Sequence, residues 1–178
     1  PEVKVSTGGD TTSVGMNLLP GTAPNYGGSY EFSSSGLHSI STSATALFNG
    51  LDSTQTRDYQ VVLAKPRVSS TLSLAGAVLH IPALVVTEEM AFVGTTDEED
   101  EATRFTFGPR RDFSEAFELS FSLKGKFSAA SKVYQKRGGD WIEIATAVNP
   151  QSGRLVLLTK ELGEFRITHS VSGEGGLL

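Results

Sequence analysis

The chain contains no cysteine. Disulfide staples and thiolate chemistry are therefore excluded, and the fold has to be held by apolar packing and hydrogen bonds. No apolar run reaches the roughly 18 residues of a membrane-crossing helix. The longest, near Ala75 to Val86, is interrupted by Gly76, His80 and Pro82. No segment keeps a helical period for more than about two turns. Positive charge is not in excess: 15 Lys and Arg stand against 20 Asp and Glu, a net charge of -5, which speaks against a nucleic-acid partner. Motifs that carry chemistry are missing too. His38, His80 and His169 stand at no metal-binding spacing. There is no Gly-x-Ser-x-Gly elbow, and no Gly-rich phosphate loop leads into Lys-Ser or Lys-Thr. No catalytic residue and no cofactor are expected.

What is present is alternation. Short runs such as Tyr30-Glu31-Phe32, Asp140-Trp141-Ile142-Glu143-Ile144 and Gly163-Glu164-Phe165-Arg166-Ile167 are separated by Gly, Ser, Asn and Pro. Side chains on a strand point alternately to core and water, so this pattern predicts antiparallel β-structure. In Leu37 to Phe48, Ile40, Thr42, Ala44, Ala46 and Phe48 share one face, and serines and Thr45 share the other. Further strands are expected at 2–5, 12–18, 29–33, 57–65, 68–74, 77–81, 90–93, 103–107, 117–123, 131–137, 141–147, 154–158 and 164–169. Gly8-Gly9-Asp10, Asn49-Gly50, Gly138-Gly139 and Asn149 to Gly153 read as turns. Pro20 to Gly28 reads as a loop. Pro66 is taken as a hinge, giving a short module over 1–66, a larger one over 67–170 and a flexible tail over 171–178. A chain of 178 residues that begins at Pro1, without a methionine, reads as a fragment cut from a larger protein or as a processed product.

Two resemblances refine this. Tyr30 and Phe32, the Ser-Gly turn after them, and Ala46 to Gly50 resemble the closing strands of bacterial immunoglobulin-like modules. From Arg67 to His169 the chain resembles the β-sandwich domain called ZU-five and its bacterial relatives. The residues that carry this are Leu79-His80-Ile81-Pro82-Ala83, Met90-Ala91-Phe92-Val93, Phe107-Gly108-Pro109, Phe113 to Phe121, Tyr134, Trp141 and Gly163-Glu164-Phe165. The sequence departs from that pattern at Ala83-Leu84 and at Arg110-Arg111. The resemblances imply an all-β chain of two tandem antiparallel β-sandwich modules, immunoglobulin-like then ZU-five-like. They also imply a non-catalytic structural, adhesive or docking part of an exported bacterial protein, outside the cell or on its surface. Its partners would be other domains of its parent chain or a surface protein. A carbohydrate-binding accessory module of a secreted hydrolase or peptidase is the alternative, with polysaccharide as ligand.

Three sets of residues are candidates for a site. Asp97, Glu98 and Asp100, within the run Asp97 to Glu101, are candidate Ca²⁺ ligands, although consecutive carboxylates rarely converge and a solvated, mobile loop is the expected reading. Arg110 and Arg111 belong to a basic band with Arg104, Lys124, Lys126, Lys132, Lys136 and Arg137. That band could meet an acidic polysaccharide, phosphate, a partner's acidic loop or the chain's own acidic run, or guard strand edges. Trp141 and Tyr26 are candidate sugar platforms, with core or inter-module packing the expected role of Trp141 and burial that of Tyr30 and Tyr59.

Overall fold

The structure, a computed structural model, describes residues 2–7, 10–20, 25–27, 29–45, 52–123, 125 and 127–169, without the side chains of 2, 18, 25–27, 43–45 and 52–53. The expected turns at Gly8-Gly9 and Asn49-Gly50, the segment Ala46 to Gly50, Lys124, Lys126 and the tail over 171–178 lie outside the described residues. The chain is all-β, and no helix occurs among the described residues. It divides into two compact units, Pro1–Leu63 and Ala64–Leu178.

Six strands belong to the first unit: β1 (Glu2–Thr7), β2 (Asp10–Val14), β3 (Asn17–Leu19), β4 (Asn25–Gly27), β5 (Gly36–Thr45) and β6 (Asp52–Ala64). Antiparallel pairing gives the order β6-β5-β1-β2, with β3 and β4 as a separate ribbon. The expected strand at 12–18 is split between β2 and β3, and β4 falls within the stretch taken as a loop. Residues 29–33 do not form the expected strand. Instead Tyr30 stacks edge-on against Phe32, and Phe32 against the ring of His38. Local aromatic packing thus replaces strand pairing there. His38 is fully buried, with Nδ1 on Thr7 Oγ1 and Nε2 on the Ser34 carbonyl.

The second unit contains β7 (Ser70–Leu74), β8 (Ala77–Ile81), β9 (Met90–Glu98), β10 (Ala102–Gly108), β11 (Asp112–Ser122), β12 (Val133–Arg137), β13 (Asp140–Ile144), β14 (Ala147–Asn149), β15 (Arg154–Glu161) and β16 (Glu164–Thr168). They form two antiparallel layers, β13-β12-β16-β10-β9 and β14-β15-β11-β8-β7. The layers meet face to face. Phe105 of β10 packs on Phe121 of β11 at 5.4 Å, and Phe92 of β9 on Phe117 of β11 at 5.8 Å. Alternate residues Leu79 and Ile81, Phe105 and Phe107, Leu119 and Phe121, and Phe165 and Ile167 are all buried. A sheet that buries one face must carry apolar residues at every second position, and these strands do. This sandwich positions the groups described next: its outer faces and strand connections carry the charge.

Candidate functional site

Three strand connections converge at one end of the second unit. β10 ends at Gly108, and the cis Gly108–Pro109 peptide leads to Arg110 and Arg111 ahead of β11. β12 ends in Lys136 and Arg137, and Gly138 and Gly139, at φ 57° and 101°, turn the chain into β13. Two consecutive left-handed residues suit a tight hairpin, and glycine takes them without strain. The third connection, between β15 and β16, supplies Glu161, Leu162, Gly163 and Glu164. Together with Asp112 these residues line an open cleft of about 390 Å³.

Its framework is hydrogen-bonded. Phe107 N–H donates to the Gly163 carbonyl at 2.8 Å. Gln135, buried, donates from Nε2 to the Glu161 carbonyl at 3.2 Å and accepts from Arg137 Nε at 3.1 Å. Leu162 is buried beneath. Arg110 and Lys136 both donate to Glu164, and Arg137 pairs with Glu161 at 3.5 Å. Burial pushes the Glu164 carboxyl up, but the hydrogen bonds and charges of Arg110 and Lys136 outweigh it and hold the group below its ordinary value of 4.5. Arg111 is different. Its guanidinium lies 4.8 Å from the Phe113 ring centroid and donates to Met90 Sδ, and among the described residues it pairs with no carboxylate. Four cations against three carboxylates leave the cleft with one net positive charge, in a chain whose own balance is -5.

The candidates named from sequence separate in space. Arg110 and Arg111 both line the cleft, and Trp141 stands next to it, directly across from Lys136 with Nζ 5.8 Å from its ring centroid. Trp141 is not part of the fully buried core: it is half-buried on β13, which among the described residues is the edge strand of its sheet. Tyr30 and Tyr59 are half-buried rather than buried, with Arg57 over the Tyr59 ring at 5.9 Å. Tyr26 is in β4, opposite Leu18, in the other unit, and its side chain is outside the described residues.

Asp97, Glu98 and Asp100 lie at the opposite end of β10 from the cleft, in the hairpin between β9 and β10. The run is not the loop expected: Asp97 and Glu98 are paired residues of β9, and only 99–101 turn. Asp97 reaches Arg104 at 3.3 Å, and Glu99 reaches Arg104 at 3.8 Å and Arg166 at 2.9 Å. Part of the basic band therefore faces the chain's own acidic run. Glu98 accepts from the Thr103 hydroxyl, which lies 3.0 Å from His169 Nε2. Among the described residues no group of three His, Asp or Glu side chains is placed to hold a metal ion. Near this hairpin a second open groove, of about 750 Å³, is lined by residues that include Lys132, Tyr134, Arg166 and His169. There the hydrogen bond and charge of Glu143 hold Lys132 above its ordinary 10.5.

Sequence reasoning singled out Arg110 and Arg111 but not Glu161 and Glu164, although Glu161-Leu162-Gly163-Glu164 places two carboxylates around a turn that the basic band could have completed. No family model matches the chain, and no curated protein matches it.

Proposed function

We propose that the chain is a non-catalytic structural, adhesive or docking module of a larger exported bacterial protein, acting outside the cell or at its surface. The observation that carries this reading is the cleft of Arg110, Arg111, Lys136 and Arg137: a fixed, open, positively charged recess on an otherwise acidic chain. Its walls are strand connections tied down by the buried Gln135 and by backbone hydrogen bonds, a geometry suited to holding a ligand in place. The order of apolar and Gly-Pro motifs from Arg67 to His169, which resembles ZU-five-like domains, supports the same reading. A half-buried Trp141 beside Lys136 favours one further version of it, an accessory module that binds carbohydrate for a secreted hydrolase or peptidase.

The test is co-sedimentation. The purified chain, added to intact bacterial cells and to protein-stripped cell-wall sacculi, is expected to pellet saturably with at least one of them. A chain that stays in the supernatant with both overturns the docking reading. The accessory reading is separated by Trp141→Ala. It predicts loss of retention on a polysaccharide column with the melting temperature nearly unchanged, whereas a purely structural tryptophan predicts the reverse.

A further inference from the structure

We infer that the cleft at Arg110, Arg111, Lys136 and Arg137 binds the carboxylate of an acidic polysaccharide, a polymer of uronate sugars. The inference rests on the docking reading above and names its ligand. Arg111 is the anchor. Its Cζ lies over the Phe113 ring, 4.8 Å from the centroid, and among the described residues its hydrogen bond goes to a thioether, a weak acceptor. A guanidinium in that state keeps donors for a carboxylate, which it matches as a fork. Arg110 is 61% exposed, and it shares the single carboxylate of Glu164 with Lys136, so two cations there are balanced by one anion. The net charge of one suits one carboxylate at a time, as a polymer with one acid per sugar presents it.

The remaining groups choose the sugar over an acidic peptide. Asp112 and Glu161 also line the cleft. They repel a second carboxylate but accept hydrogen bonds from sugar hydroxyls, which an oligo-glutamate side chain does not offer. Among the described residues the only one lining the cleft with a large apolar side chain is Leu162, and it is buried, so they offer no open pocket for the apolar anchors that peptide grooves use. Gly138, Gly139 and Gly163 form walls where a Cβ would meet nothing within 4 Å, which leaves room for a broad ring against the backbone. A volume of about 390 Å³ lies within the range of ligand clefts, about 300–1,000 Å³.

The experiment is affinity electrophoresis of the whole chain in gels holding polygalacturonate, poly-L-glutamate or neutral dextran. The expected result is retardation by polygalacturonate alone, weakening as salt is added. Arg111→Ser should weaken it about tenfold, the scale of one charge-assisted hydrogen-bonded contact. Arg111→Lys, which keeps the charge and loses the fork, should weaken it nearly as far. Melting curves of both variants are taken alongside, and binding lost at unchanged melting supports the site. Equal retardation by poly-L-glutamate overturns the choice of ligand, and unchanged binding by Arg111→Ser overturns the siting. Absence of binding to polygalacturonate by a chain that still pellets with cells or sacculi sinks this inference while the docking reading stands. Absence of both sinks the two together.

Discussion

Gly94 has no room for a side chain. A Cβ there would sit 2.7 Å from Leu72 Cδ2 and 3.1 Å from both Cδ atoms of Leu74. Leu72 is fully buried, so its side chain can give way only by disturbing the neighbours packed on it. Gly94→Ala is therefore expected to cost about 1–3 kcal/mol in urea unfolding, the scale of overpacking. Phe105→Ala removes a ring stacked on Phe121 across the two layers and should cost about 3–5 kcal/mol. Glu164 gives a pH-dependent case. Its carboxyl is held below 4.5 in the folded chain, so the folded state binds its proton less readily than the unfolded state. The contribution is then present above pH 4.5 and lost as pH falls through the lower folded value. Because Arg110 and Lys136 are exposed, its size is that of a surface network, about 0.2–1 kcal/mol. Glu164→Gln should lower stability at pH 7 by that amount and flatten the acid limb of the stability curve below pH 4.5. A variant that loses stability with acid as steeply as the parent would count against this role.

At the scale of elements, the hairpin of β9 and β10 solves a problem set by strand register. Arg104 and Arg166 face each other directly on β10 and β16, and like charges in that position repel. Glu99 reaches both guanidiniums, and Asp97 adds a contact to Arg104. Glu99→Gln should destabilise by about 1 kcal/mol or less, and the cost should shrink in an Arg166→Gln background. A double-mutant cycle with no coupling would contradict the bridge. With these carboxylates spent on arginines, millimolar calcium should leave the melting temperature where excess chelator leaves it. Such register effects are what the sequence conceals. β8, Ala77–Ile81, was legible to the residue, because strict alternation of buried and open positions is visible in the letters. β9 runs on through Thr95 to Glu98, polar residues that stay in the sheet because β10 pairs with them, and periodicity of one segment does not report its neighbour. β4 sits in a Gly- and Pro-rich stretch with no pattern at all. The cleft shows the same limit. Arg110, Lys136 and Glu164 come from three separate connections, and only the strand order of the sandwich places them together.

At the scale of the molecule, the two units differ in what their described residues bury. In the second, both layers contribute phenylalanines and aliphatic side chains to one interior. In the first, among the described residues, Val3, Val5 and Val61 are the buried apolar side chains, with His38 beside them. Burial of apolar area is the main source of stability, at about 25 cal/mol per Å², so cooperative units with unequal interiors open at unequal free energies. Hydrogen exchange should then find the slowest amides in β8, β10, β11 and β16, and faster ones in β1 and β2. The chain has a built-in reporter for the difference. Its one tryptophan, Trp141, is in the second unit, against Lys136. Far-ultraviolet circular dichroism sums over the strands of both units. Urea unfolding followed by tryptophan fluorescence should therefore have its midpoint at a higher concentration than the first loss of dichroism, and the two curves should not superimpose. Superimposed curves, with uniform exchange rates across β1, β5, β10 and β16, would mean that the chain unfolds as one cooperative body and that the difference in interior does not set the order of opening.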